Sequence, residues 1–319
     1  MFVSIAALAI GLGVGLCRAS DGCPAWGHHH GGHPGWGDGD DGSSTTATPT
    51  DSSATSAPTA TSTTLPSDNP SNGNIWTPSP GVNWQINLVD EVKASTHQVS
   101  VYDIDLFENQ KEGIASLQKG GRKVICYFSA GSYEDWRDDI GKFQDSDLGR
   151  GLDGWEGERW LDIRSDNVRN IMLSRLDQAK EKGCDGVDPD NIDGYDNDTG
   201  LDLSKDDAID YIAFLADAAH DRGLSMGLKN GIDIIPQVVK KVEYAVNEQC
   251  SQYAECNTYE PFITAKKAVF HIEYPKGEEE SNNREVAANV AKNFCETSNI
   301  DGFSTVMKNI NLDDWAQTC

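Results

Sequence analysis

Residues 167–191 read NVRNIMLSRLDQAKEKGCDGVDPDN. The charged and apolar stretch Asn167 to Lys182 has helical length, Lys182-Gly183 stops it, and a short apolar run around Gly186 and Val187 follows directly as a strand. That strand ends in acids, Asp188-Pro189-Asp190-Asn191. The same grammar recurs next door. Lys205 to Arg222 carries Ile209, Ile212, Phe214, Leu215 and Ala219 at helical intervals, Arg222-Gly223 ends it, and Leu224 to Leu228 is again a strand candidate. Working outward, the other strand candidates are Trp84 to Val89, Val99 to Leu106, Lys123 to Phe128, Tyr244 to Val246, Ala268 to Ile272 and Gly302 to Val306. Eight short strands alternating with helices predict a parallel sheet closed on itself, an α/β fold of the (β/α)8, TIM-barrel type.

The barrel accounts for residues 75–319, close to the ~250 residues usual for such a unit. Residues 1–20, MFVSIAALAIGLGVGLCRAS, read as a secretory signal peptide cleaved near Ala19 or Ser20, too short and too rich in small residues for a bilayer span. Residues 21–74 are Gly- and His-rich around His28, His29, His30 and His33, then Ser/Thr-rich; they read as a disordered leader and linker. No membrane span is expected in the mature chain, which should be secreted and extracellular. The chain carries a formal charge of −25, of which the first 74 residues supply six acids and one base, leaving about −20 to the barrel. Such a surface repels nucleic acid and favours a cationic or neutral partner. A monomer is expected.

In a parallel barrel, function gathers where the strands end. Polar residues stand at these positions: Asp103 and Asp105 on the second strand, Tyr127 and Ser129 on the third, Asp188 and Asp190 on the fourth. Lys229 and Asn230, Asn247 and Glu248, Glu273 and Tyr274, and Lys308 and Asn309 follow on the fifth to eighth. Single acids or amides at such turns are commonly helix caps, but so regular a series points to a site. Asp190 and Glu248 form the candidate catalytic pair for glycosidic hydrolysis, in which one carboxyl protonates the leaving oxygen and the other attacks or activates water. Asp190 is assigned as nucleophile and Glu248 as acid/base, because the longer Glu reaches a leaving oxygen more easily. Lys229 would hold a neighbouring carboxylate ionised. Asp103 and Asp105, alternating with Tyr102 and Ile104, would line the pocket floor together. Trp84, Tyr127, Trp155, Tyr195 and Tyr274 are candidates to stack on sugar faces.

Seven of the eight cysteines lie beyond the signal, and pairing is expected for most in an exported protein. Cys250 and Cys256 can close a small loop beside Glu248, and Cys295 with Cys319 can tie down the C-terminus. Cys126 and Cys184 fall in neighbouring predicted strands and either pair or stay buried as thiols. Cys23 has no evident partner. The spacing fits no zinc or redox motif, and no P-loop, G-x-G-x-x-G, H-E-x-x-H or G-x-S-x-G pattern occurs in the barrel. No metal site is therefore expected. The sequon Asn197-Asp198-Thr199 stands just past Asp190.

Several ordered blocks resemble glycoside hydrolase family 114, the endo-α-1,4-polygalactosaminidases. They are VYDIDLF at 101–107, VICYFSAGSYEDWRDD at 124–139, GLDGWEGERWLDIR at 151–164, GCDGVDPDNIDGY at 183–195, GLKN at 227–230, VNEQCSQYAEC at 246–256 and HIEY at 271–274. The resemblance implies a (β/α)8 barrel that cleaves internal α-1,4 links between galactosamine units of secreted or biofilm exopolysaccharide without a cofactor. It places the family's catalytic carboxylates on Asp190 and Glu248 and implies a retaining outcome. A partly deacetylated, cationic galactosamine polymer would also suit the acidic surface. The competing expectations are a glycosidase for another α-linked galactose or amino-sugar polymer, and a carbohydrate-binding barrel without turnover.

Overall fold

The computed structural model describes residues 69–70, 75–92, 97–277 and 281–319; the signal-peptide and leader assignments lie outside them. Eight parallel strands form the barrel: β1 Trp84–Asn87, β2 Val101–Asp105, β3 Lys123–Ser129, β4 Gly186–Asp190, β5 Ser225–Lys229, β6 Tyr244–Glu248, β7 Ala268–Glu273 and β8 Ser304–Lys308. They neighbour one another in chain order, and Ala316–Thr318 adds an antiparallel edge to β8. The ends of the sheet meet where Trp84 Nε1 donates to the Ser304 carbonyl across 2.6 Å and Lys308 Nζ donates to Gln85 Oε1 across 3.0 Å. The fold is the (β/α)8 barrel expected from the alternation of strand and helix.

Among the described residues six α-helices connect the strands: α1 Lys111–Lys119, α2 Asp166–Lys182, α3 Lys205–Asp221, α4 Ile235–Val238, α5 Glu260–Thr264 and α6 Ala288–Cys295. The Ser165 hydroxyl caps α2 by accepting from the Asn167 and Val168 amides, and Gly183 closes the helix in the left-handed conformation at φ 91°. Ser204 and Asp207 form a capping box on α3. Between β3 and α2 the chain inserts a three-stranded antiparallel sheet, Ser132–Glu134, Leu148–Gly151 and Glu158–Leu161, with the last strand in the middle.

Alternation along each strand separates two cores. Tyr102, Ile104, Cys126, Phe128, Val187, Met226, Leu228 and Ala245 pack outward against helical residues such as Ile171, Leu176, Ile212 and Leu215. Trp84, Ile86, Val101, Ile125, Tyr244, Val246, Phe270, Ile272 and Val306 fill the barrel interior. Tyr244 spans that interior to donate to the Val187 carbonyl at 2.8 Å. It fits because β5 has no side chain at Gly227, where a Cβ would stand 2.5 Å from the Tyr244 ring. Apolar side chains plug most of the interior, while the acids and Lys229 take the last inward positions of β2, β4, β5 and β6.

Among the described residues three disulfides staple the frame: Cys126–Cys184 joining β3 to the turn after α2, Cys250–Cys256 in the loop after β6, and Cys295–Cys319 at the C-terminus. No helix among the described residues is long and apolar enough to cross a membrane.

Candidate active site

The site is built on the last residues of β4, β5 and β6. Asp190, Lys229 and Glu248 are each followed by a residue with left-handed backbone: Asn191 at φ 61°, Asn230 at φ 49° and Gln249 at φ 62°. The chain therefore turns sharply off each strand, and the strain of a non-glycine residue in this region is held by its surroundings. At Asn191 the hold is close approach. Gly131 donates its N–H to the Asp190 carbonyl at 3.0 Å, and a Cβ on Gly131 would meet the Asn191 carbonyl oxygen at 1.7 Å. At Asn230 the side chain itself does the work, accepting from the Glu248 amide at 3.0 Å and donating to Glu248 Oε2 at 3.1 Å.

Lys229 bridges the two acids. Its Nζ lies 2.9 Å from Asp190 Oδ2 and 3.4 Å from Glu248 Oε2, with side-chain exposures of 2% for the lysine, 16% for Asp190 and 0% for Glu248. Those two oxygens can be no farther apart than 2.9 plus 3.4 Å. The Tyr127 hydroxyl also donates to Asp190 Oδ2, at 2.9 Å, and the Asn191 amide donates to Oδ1 at 2.7 Å. The Tyr274 hydroxyl donates to Glu248 Oε1 at 2.6 Å. Burial raises the Glu248 pKa above the usual carboxylate range, opposed first by Lys229 and assisted by Asp190. The Lys229 ammonium is held far above the usual lysine range by Asp190, Glu248 and Asp188 against the cost of burial, so it stays charged.

Below this layer lie Asp103 and Asp188, both fully buried and with no hydrogen-bond partner among the described residues on any of their four oxygens. Burial and then Asp188 push the Asp103 carboxyl well up, and burial pushes Asp188 up to about 7 despite Lys229. Burial, reinforced by neighbouring carboxylates, favours the protonated form of each.

The remaining sequence candidates divide by strand parity. Asp105 ends β2 near the mouth, yet its oxygens are taken by Arg137 Nη1 at 3.2 Å and Nη2 at 2.7 Å and by the Phe107 and Glu108 amides. Trp84 packs on Phe270 in the barrel interior. Asn247 and Glu273 occupy the outward parity of β6 and β7. Asn247 Nδ2 donates to the Tyr259 hydroxyl, and Glu273 Oε1 accepts from the Ser251 amide and contacts His271 Nε2. They therefore brace the loop after Glu248. Among the described residues one group of metal-donor types, Cys250, Cys256 and His271, converges within 4.8 Å, but its two sulfurs are joined in the disulfide.

Sequence reasoning passed over the inserted sheet and the charges it delivers. Arg137 Nε and Nη2 donate to both oxygens of Glu134 at 2.9 Å, and Glu158 Oε2 accepts from Ser132 Oγ at 2.9 Å. Arg137 and Glu158 stand inside the ordered blocks at 124–139 and 151–164, which was the available signal.

A barrel mouth with two carboxyls bridged by a lysine has the parts needed to cleave a glycosidic bond. The sequence profile of glycoside hydrolase family GH114 matches residues 66–319. The chain belongs to this family. It is a glycoside hydrolase. Among solved structures, that of Ega3 from Aspergillus fumigatus in complex with galactosamine is 56% identical, with a TM-score of 0.75, over 77% of this chain and 100% of that one. The glycoside hydrolase domain of PelA from Pseudomonas aeruginosa is similar in fold, with a TM-score of 0.56 at 11% identity over 74% and 98% of the two chains. No curated protein sequence matches the chain.

Proposed function

We propose that this family 114 hydrolase is an exported, endo-acting enzyme that cleaves α-1,4 links between galactosamine units of an exopolysaccharide. The observation that carries the reading is the Asp190–Lys229–Glu248 bridge, in a chain 56% identical to a protein whose structure was solved with galactosamine. Asp190, turned toward the mouth and oriented by Tyr127, Lys229 and Asn191, is the nucleophile. Glu248, whose carboxyl burial keeps protonated to higher pH, is the acid that protonates the leaving oxygen and then the base that activates water. One lysine in contact with both carboxyls keeps Asp190 and Glu248 close across the site, in keeping with retention through a glycosyl-enzyme.

Tyr127, Tyr274, Asn230 and Lys229 would contact the sugar beside the two acids, with Asp103 and Asp188 closing the floor. The acidic excess of the barrel favours stretches of the polymer that carry free amines. The N-terminal signal-like segment supports secretion. Incubation with a panel of α-linked polymers tests the reading: shortening of the galactosamine chain, with Asp190→Asn and Glu248→Gln inactive, is expected. Cleavage of a different polymer, or binding without cleavage, would replace it.

A further inference from the structure

The mouth holds a third carboxyl that the reading above leaves without a task. Glu158 lies on the middle strand of the inserted sheet and is 7% exposed. Its Oε2 accepts from Ser132 Oγ, which accepts from Asn191 Nδ2 at 2.9 Å, and the Asn191 amide donates to Asp190 Oδ1 at 2.7 Å. Three hydrogen bonds thus tie Glu158 to the carboxylate of Asp190. Its other oxygen, Oε1, takes no donor from the described residues.

The charges around Glu158 are mostly of its own sign. Glu134 is its direct partner across the sheet, Asp190 lies along the hydrogen-bond path, and Asp135 packs at the turn beside Gly157. The neighbouring cation, Arg137, is committed to Glu134 and Asp105. Arg159, next along the strand, donates away to the Gly149 carbonyl. Tyr127 is the remaining titratable neighbour, and its own proton is held by burial and by Asp190, Glu134 and Glu158. Burial, then Glu134, push the Glu158 carboxyl up to about 8.

We propose that Glu158 is a specificity-determining residue that receives the ammonium group of the amino sugar held against Asp190. The inference rests on the galactosamine reading above and assigns that reading its amine contact. In the free enzyme near neutral pH Glu158 keeps its proton, because it is buried beside Glu134, Asp135 and Asp190 while Arg137 is committed to Glu134 and Asp105, and Lys229 to Asp190 and Glu248. An arriving ammonium supplies the missing charge, the carboxyl proton leaves to solvent, and the N–H of the ammonium donates to Oε1. An N-acetylated unit brings no charge and leaves Glu158 protonated. A hydroxyl would gain no such compensation, so the site distinguishes amine from both.

The test compares the wild type, E158Q and E158D on an α-1,4-galactosamine oligosaccharide and on its fully N-acetylated counterpart. In E158Q at pH 7, KM for the free-amine substrate should rise about 10- to 100-fold, the range of a lost hydrogen bond to a charged group, with kcat little changed and no change on the acetylated substrate. E158D should recover part of the selectivity, which separates loss of the carboxylate from misfolding. Calorimetry with galactosamine in buffers of different ionisation enthalpy should show close to one proton released by the wild type and none by E158Q. An unchanged KM in E158Q, or an equal rise on both substrates, would overturn the assignment while leaving the galactosamine reading in place. Failure of the wild type to cleave either substrate would remove that reading and this inference with it.

Discussion

The Tyr274 hydroxyl donates to Glu248 Oε1 across 2.6 Å, the shortest contact of the candidate pair and one that favours the ionised form of Glu248. Replacing Tyr274 by Phe removes that donor, so the Glu248 pKa should rise further. Because an acid catalyst works while protonated, the alkaline limb of the kcat/KM profile should move to higher pH, with a fall in kcat of about tenfold. A pH–rate profile of Y274F checks this; an acidic limb displaced to higher pH with the alkaline limb unmoved would assign Glu248 the opposite role.

Lys229 supplies the positive charge between buried Glu248 and partly buried Asp190. In K229M the bridge is lost and two carboxyls face each other, so activity should drop ~100-fold or more, as when a preorganised electrostatic contact is removed. Stability should fall by about 3 kcal/mol, the cost of breaking a buried pair from one side. Chemical denaturation together with initial rates measures both.

The raised carboxyls make stability depend on pH. Glu158 and Asp188 keep their protons up to about 8 and about 7 in the folded protein, whereas in the unfolded chain they ionise near ordinary carboxylate values. Between those limits the folded state binds more protons, so their contribution is complete below pH 4 and is lost as pH rises through 7 and 8. Lys308, pushed down to about 7 by burial, works the other way above pH 7. Thermal unfolding should therefore show a Tm that falls from pH 5 to pH 7, less steeply in E158Q.

Much of this was legible in the chain, and the exceptions have physical causes. Gly183 and Gly223 punctuate helix and strand so plainly that β4, β5 and the acids after them follow from local rules. The inserted sheet does not, because strands of three or four residues such as Ser132–Glu134 and Leu148–Gly151 carry too little alternation to distinguish from loop. Glu273 and Asn247 stand at strand ends, but parity decides which way a side chain turns, and one residue of register sends both outward. Asp105 shares the inward parity of Asp103. Its partner, Arg137, comes from the insert and so left no mark in the strand itself.

Charge should govern substrate capture. With about −20 on residues 75–319, attraction to a polymer of free amines is screened over about 10 Å at 0.1 M salt. KM on deacetylated polymer should rise several-fold between about 20 and 300 mM salt, while kcat holds. A salt-independent KM would show that contact, and not field, selects the substrate.

If Asp190 and Glu248 together cleave α-1,4-linked galactosamine, chain shortening requires both carboxyls. Mass spectrometry of a defined galactosamine oligosaccharide incubated with the wild type, D190N and E248Q tests it most directly. Shorter oligomers are expected from the wild type and intact substrate from both variants; an intact substrate with the wild type, or shortening by either variant, would rule out the joint role of the two carboxyls.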